Sequence, residues 1–207
     1  MVDAIVAGAA LAAAAPMVAV AAVLVRTTSP GPAFFRQQRV GQHGQPFTLL
    51  KLRTMTHGVA GASVTAGTDP RITPVGRWLR RYKVDELPSL WNVVRGDMSL
   101  VGPRPEVPKH VDLGDDRWRE VLRSRPGLTD PVTLRLRNEE ELLASASDAE
   151  RFYREHLAPY KLAGYVAYER NRTWETDLEV LAKTALAVVA PHIAPPPTLE
   201  DVCGGSA

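Results

Sequence analysis

Two hydropathy rules divide the chain, an unbroken apolar run at the start and short periodic patches after it. From Ala4 to Val25 there are 22 residues without a charge, mostly Ala and Val. As an α-helix that run would be about 33 Å long, enough to cross the hydrocarbon core of a bilayer. Pro16 sits near its middle, where a proline removes a backbone hydrogen bond and pushes the preceding turn aside. A kinked spanning helix, a re-entrant helix that enters and leaves by one face, and a buried helix of a soluble protein all fit this pattern. Asp3, with no Lys or Arg before it, makes the segment a poor signal peptide.

Beyond the turn-rich linker Thr28-Ser29-Pro30-Gly31-Pro32, residues 33–40 and 46–55 read as two strands. The Gly41-Gln42-His43-Gly44-Gln45 connection predicts a β-hairpin, with Arg36, Arg39, Lys51 and Arg53 projecting from one small ribbon. Those cations suit either a solvated membrane-proximal face or the binding of a substrate phosphate. His43 reads as a polar turn residue, and residues 57–68, rich in Gly, Ala and Thr, read as a mobile loop. Thr73 caps and Pro74 opens a helix that is expected to bury Val75, Trp78, Leu79 and Tyr82 on one stripe. Arg77, Arg80, Arg81 and Lys83 surround that stripe, so the helix is either an ordinary surface helix or one lying in a membrane interface.

Leu87, Leu90, Trp91 and Val94 repeat at i, i+3, i+4 and i+7, which predicts a second amphipathic helix. Asp85 falls at its N-cap, Pro88 lies in its first turn, and Gly96 ends it. From Asn138 onward the pattern is helical and acidic. One segment starts at Glu139, another is capped by Asp148 and ends near Pro159, and a third covers residues 177–190. Pro191 stops the last, and residues 191–207 read as a disordered tail. The fold class expected is α+β, mostly helical, with a small β-hairpin and amphipathic interfacial helices.

Composition narrows the picture. A chain of 207 residues suffices for one domain with a real core. The single cysteine, Cys203, permits no internal disulfide and fits a reducing compartment. The net charge of +2 hides an asymmetry: residues 26–109 hold 13 Lys and Arg against 5 Asp and Glu, and residues 110–207 hold 12 against 17. A basic first half suits anionic lipid head groups, nucleotide phosphates or nucleic acid. Nucleic acid is the weakest of these, because the aromatics fall on apolar stripes and form no base-stacking platform. The sequence carries no internal repeat, P-loop, dinucleotide fingerprint or Cys/His metal cluster.

The candidate chemistry lies in residues 83–105. An Asp beside a helix N-terminus is favoured in its ionised form, and an ionised carboxylate can attack phosphorus. Glu86 adds a second charge, so Asp85 and Glu86 together could hold a divalent cation through oxygen. Helix capping by Asp85 alone is the plainer alternative. Pro103 and Pro105 hold Arg104 on a stiff extended support, which suits bidentate recognition of phosphate, or simply makes a rigid turn.

Taken in order, the proline-broken apolar start, Ser29-Pro30-Gly31-Pro32 with Phe34-Phe35-Arg36-Gln37, Lys51-Leu52-Arg53-Thr54-Met55, Asp69-Pro70-Arg71-Ile72-Thr73, Val84-Asp85-Glu86-Leu87-Pro88, Asn92 to Asp97, Gly102-Pro103-Arg104-Pro105 and Arg125-Pro126-Gly127-Leu128-Thr129 resemble the bacterial sugar transferases. These are monotopic polyprenyl-phosphate phosphoglycosyl transferases, and the likeness covers about residues 3–190. The resemblance implies transfer of a phosphosugar from a nucleoside diphosphate sugar, usually a UDP-sugar, to undecaprenyl phosphate, with release of UMP. It implies Asp85 as nucleophile of a covalent intermediate, Glu86 as its companion carboxylate, and Mg2+ as cofactor held by the pair. Arg80 and Arg104 match phosphate-binding positions, and Lys51 and Arg53 are added as substrate-binding candidates. The resemblance further implies residues 1–25 as a re-entrant membrane helix broken at Pro16 and residues 26–190 as the cytoplasmic transferase domain, which leaves residues 191–207 as the flexible tail read from composition. It places the active site on the cytoplasmic face of the bacterial inner membrane, among membrane lipids and without nucleic acid. A homodimer is left open, as is a non-catalytic subunit of a polysaccharide assembly system. Thr129-Asp130-Pro131 departs from the Thr-Gly that commonly follows this Pro-Gly motif.

Overall fold

The computed structural model describes residues 1–59, 61 and 64–189. The apolar run forms one helix, α1 (Val2–Thr28), which is long and apolar enough to cross a membrane and passes through Pro16 as a single element. Its two ends are fastened to the same domain. At the start, the Asp3 carboxylate accepts a short hydrogen bond from Ser99 Oγ and another from the Leu100 N–H at 3.3 Å. Ala7 is buried there beside Val93 and Val180, while towards the other end Val18, Ala21 and Val25 pack on Leu52, Leu79 and Val84. The remaining face leaves Val2, Ile5, Val6, Met17, Val20, Val23 and Leu24 exposed.

The hairpin forms as the alternation predicts. β1 (Phe34–Val40) pairs antiparallel with β2 (Pro46–Leu52), Phe34 opposite Leu52 and Val40 opposite Pro46. Because side chains alternate between faces, the four hairpin cations do not project together: Arg39 and Lys51 share a face, and Arg36 takes the other. Next comes α2 (Pro74–Arg81), with Pro74 at its start and the Thr73 side chain accepting from the Gly76 N–H, as expected from the sequence. Gly76 is required by close approach, since a Cβ there would lie 2.0 Å from the Thr54 carbonyl oxygen. The predicted apolar stripe is corrected at Trp78 and Tyr82, which are about half exposed, their rings 5.2 Å apart, while Leu79 alone is fully buried.

Residues 84–95 depart from the expected single helix. Val84–Ser89 is a 3-10 segment, and α3 covers only Leu90–Arg95. Pro88 supplies no N–H and its ring crowds the carbonyl four residues back, which tightens the turn carrying Asp85 and Glu86. Asp85 therefore lies inside that turn rather than capping a helix, and the residue before the turn, Lys83, takes a left-handed conformation at φ 55°. Trp91 is about half exposed where burial was expected, and Val93 is buried instead. Gly96 ends the helix as expected, at φ 82°.

A second sheet has no clear sequence signal. β3 (Ser99–Val101) pairs in parallel with β4 (Gly127–Thr129), and the connection between them carries Arg104 and α4 (Asp116–Val121). Gly127 meets Gly102 so closely that a Cβ would lie 2.1 Å from the Gly102 nitrogen. Asp130, fully buried, then caps α5 (Pro131–Arg135) by accepting from the N–H groups of Val132 and Thr133. That gives the departure at Thr129-Asp130-Pro131 a local structural role.

The acidic half is helical. It comprises α6 (Glu139–Ser145), α7 (Ala149–Phe152), α8 (Ala158–Asn171) and α9 (Trp174–Val189). A π-turn over Tyr153–Leu157 joins α7 to α8, so helical structure continues past Pro159 instead of ending there, the wider turn just before it accommodating a ring that carries no N–H. The expectation of a disordered tail falls on residues 191–207, outside the described residues. Within this half, Lys161 Nζ lies 2.6 Å from Glu106 Oε1, both buried, and Tyr153 donates to the other Glu106 oxygen at 3.1 Å. Removing one member of such a pair strands a buried charge. Lys161→Met should destabilise the fold by about 3–5 kcal/mol, read by denaturant unfolding.

Candidate active site

Three short stretches meet at Glu86. Its Oε1 lies 2.8 Å from Lys51 Nζ on β2 and 2.5 Å from Arg104 Nη2, and Arg104 Nη1 reaches Oε2 at 3.3 Å. Polar side chains of the following segment set this geometry. The Asn92 amide donates to the Thr48 carbonyl at 2.8 Å and accepts from the Leu50 N–H at 3.1 Å, while Ser89 Oγ donates to the Leu50 carbonyl at 2.8 Å. The edge of β2 not paired with β1 is thus closed by Ser89 and Asn92, and Lys51 is registered against Glu86. Sequence reasoning took Asn92 only within a motif and gave neither residue a role; two polar groups three apart among buried positions were the available signal.

The two carboxylates have opposite electrostatics. Burial alone would raise the Glu86 carboxyl, but Arg104 and Lys51 outweigh it and hold it well below the usual glutamate range. Arg104 is correspondingly held protonated by the Glu86 charge, against burial. Burial pulls the Lys51 ammonium down, and the shared Glu86 charge does not fully restore it. Burial, and next the Glu86 charge, pushes the Asp85 carboxyl up, with only partial relief from Lys51, Lys83 and Arg80. Asp85 is buried, and its Oδ1 has no hydrogen-bond partner among the described residues.

The other sequence candidates lie further out. Arg80 forms an ion pair with Glu140 at 2.5 Å and donates to Thr54 Oγ1 at 3.2 Å, so its guanidinium is engaged outside the Glu86 cluster. Arg53 is almost fully buried and donates to the carbonyls of Pro32 at 2.6 Å and Ser29 at 2.9 Å, with Val25 at 3.4 Å. That places it on the last carbonyls of α1 and the linker, where a cation satisfies groups the helix leaves free. The structure makes Arg53 a fastener of α1 and does not bring it to the carboxylate pair.

A divalent cation fits this site through Asp85 more readily than through Glu86. The unpartnered Asp85 oxygen is a free ligand, whereas both Glu86 oxygens already face cations. Among the described residues no group of three or more His, Cys, Asp or Glu could hold a metal. Mg2+ commonly takes only one or two carboxylates and completes its shell with water and substrate phosphate, so one free carboxylate is sufficient.

The sequence comparisons place the chain in a family. Residues 1–191 match the family described as bacterial sugar transferase. A Caulobacter vibrioides protein named UDP-glucose:undecaprenyl-phosphate glucose-1-phosphate transferase is 46% identical over 176 residues, covering 82% of this chain and 61% of that protein. The Aeromonas hydrophila UDP-N-acetylgalactosamine-undecaprenyl-phosphate N-acetylgalactosaminephosphotransferase is 40% identical over 121 residues, 55% of this chain and 28% of the relative. The exopolysaccharide production protein ExoY of Sinorhizobium fredii is 39% identical over 144 residues, 61% of this chain and 64% of the relative. The chain therefore spans less than two thirds of the length of each of these relatives. Since the family match runs through the hairpin, the carboxylate pair and Arg104 alike, the chain belongs to the bacterial sugar transferases.

Proposed function

We propose that this protein transfers a sugar phosphate from a nucleoside diphosphate sugar, a UDP-sugar in the first instance, to undecaprenyl phosphate. The observation that carries the reading is Asp85: a buried carboxylate with a free oxygen, pushed towards higher pKa, beside a Glu86 whose charge is fully gripped. An Asp oxygen attacks the sugar-bearing phosphorus, the bond to the nucleoside phosphate breaks, and UMP leaves with the electron pair. A phosphate oxygen of the lipid then attacks the same phosphorus and Asp85 departs as carboxylate. Neither step needs a proton transferred to or from Asp85; both need charge dispersed on phosphate oxygens. Lys51 and Arg104 lie where they can share their charge between Glu86 and the incoming pyrophosphate. Arg80 could join them by leaving Glu140. Mg2+, held by Asp85 and the donor phosphates, would neutralise part of the pyrophosphate charge. Substrate names carried by the relatives support the donor and acceptor classes, and the exopolysaccharide relative supports a place in polysaccharide or glycoconjugate assembly.

The support for a membrane placement comes from α1. A helix fastened to one domain near both Asp3 and Val25 does not carry its first half away across a bilayer, which favours re-entry or shallow insertion over spanning. Its exposed apolar face and the exposed Trp78, Tyr82 and Trp91 would sit in lipid and at the headgroup level. The carboxylate pair would then work on the cytoplasmic face of the bacterial inner membrane.

Three outcomes test this. In nanodiscs with undecaprenyl phosphate and a panel of UDP-sugars, the wild type should release UMP and trap a phosphosugar on Asp85. Asp85→Asn should lower release by more than about 10³-fold, yet raise stability by about 1 kcal/mol because a buried charge is removed; an active Asp85→Asn protein would sink the mechanism. Adduct formation in single turnovers should fall as pH drops through the raised Asp85 pKa, above the ordinary aspartate range, because only the carboxylate attacks. With that raised value, the ionised Asp85 costs stability, so its contribution to stability declines as pH rises from the ordinary aspartate value through the folded one. Chelation by EDTA should stop UMP release and added Mg2+ should restore it; full activity in EDTA would remove the metal from the scheme.

A further inference from the structure

The cleft beside Glu86 holds one cation that the carboxylate does not use. Arg39, Lys51, Glu86 and Arg104 line it together with Leu49 and Gly127. Lys51 and Arg104 are both in contact with Glu86. Among the described residues, the hydrogen bonds of the Arg39 side chain go to neutral groups: Gln37 Oε1 accepts from its Nε at 3.1 Å and its Nη2 at 2.7 Å, and the Pro105 carbonyl accepts from Nη1 at 2.9 Å. The nearby Glu106 is committed to Lys161 and Tyr153. Three of the five guanidinium N–H groups are engaged, leaving two on a fixed planar fork. Burial works against this charge more than the nearby Glu106 and Glu86 carboxylates support it, and an incoming anion would add to that support.

Register then separates the two phosphates of the reaction. Lys51 stands opposite Phe35 and Arg39 opposite Phe47, on the same face of the ribbon. Four residues of strand put Arg39 about 13 Å along the ribbon from the Phe35 and Lys51 pair. The Phe35 end adjoins the linker and the end of α1, through the Arg53 N–H bonded to the Ala33 carbonyl and the Arg53 side chain. At the Arg39 end lies the hairpin turn, where the His43 N–H bonds to the Leu122 carbonyl just after α4, while Phe47 beside Arg39 packs in one cluster with Ala7 and Leu11 of α1. A lipid phosphate arriving at the linker end of α1, where Arg53 holds the Ser29 carbonyl, meets the Lys51 end, and the nucleotide has the Arg39 end, beside the hairpin turn and Leu122, left to it.

Building on the transferase reading, we infer that Arg39 binds the nucleoside-side phosphate of the donor and stays with it as the leaving group. Gln37 is then a positioning residue that aims the fork. When Asp85 forms its bond to the sugar-bearing phosphorus and the pyrophosphate bridge breaks, the electron pair and negative charge move onto the phosphate facing Arg39.

The test uses the full chain in nanodiscs with Arg39→Gln, which keeps an amide donor for the Pro105 carbonyl and loses the charge, and with Arg39→Lys. Losing one charge-assisted contact should raise both the KM for the UDP-sugar and the inhibition constant of UMP by about 10- to 100-fold. The KM for undecaprenyl phosphate and the melting temperature should not move, and Arg39→Lys should recover part of the loss. A rise confined to the undecaprenyl phosphate KM would assign Arg39 to the lipid phosphate and overturn the inference. Unchanged constants with a lowered melting temperature in both variants would also overturn it, leaving Arg39 as a brace for Pro105. Calorimetric binding of UMP needs no turnover and keeps the two readings apart. UMP bound through Arg39 by a wild type that forms no adduct would uphold the site and sink the transferase, and normal adduct chemistry with UMP binding indifferent to Arg39 would sink the site alone.

Discussion

The grip of Lys51 and Arg104 on Glu86 is the interaction on which the rest of the site depends. It ties β2, the 3-10 turn and the segment after β3 to one carboxylate, and these segments are far apart in the chain. Two cations on one anion also fix the protonation pattern. Glu86 stays charged through the physiological range, and its charge is part of what makes ionisation of its neighbour Asp85 unfavourable. A carboxylate held in that condition is a poor structural element and a good recipient for an electrophile or a cation.

A similar logic, cations satisfying oxygens that the backbone leaves open, fastens the apolar helix. Arg53 collects carbonyls at the end of α1, and Asp3 does the complementary work at its start by accepting from Ser99 and Leu100. Since Leu100 lies in β3, and Arg104 follows that strand directly, the beginning of the helix is fastened to the segment that delivers the arginine. The position of α1 and the position of Arg104 are therefore not independent.

Much of this was legible in the sequence, and the failures have physical causes. The hairpin, the Thr73-Pro74 start and the Gly96 stop were plain because each rests on a local rule: alternation, capping and a left-handed glycine. The Asp85 turn was misread because Pro88 acts on the residues before it, so that a helical rhythm is interrupted without any change in its apolar spacing. Trp78, Tyr82 and Trp91 were assigned to a core because periodicity reports which residues share a face and not what lies opposite that face. The β3 and β4 pair was missed altogether: three-residue strands joined by a long crossover leave no period to detect. Within the site, adjacency in sequence made Asp85 and Glu86 visible, and the flanking prolines marked Arg104. Arg53 could not be told from Lys51, although alternation alone would have set Arg36 apart from Arg39.

The contact between Gly102 and Gly127 has a consequence for how such a site can diversify. Gly127 also lines the cleft, so along this stretch its wall is main chain. A bare backbone wall offers selection nothing to exchange: any side chain added at Gly127 would wedge β4 from Gly102 before it altered what the cleft recognises. Variation in the cargo this scaffold accepts must then be written on the other walls, and this one acts as a fixed datum against which they are measured.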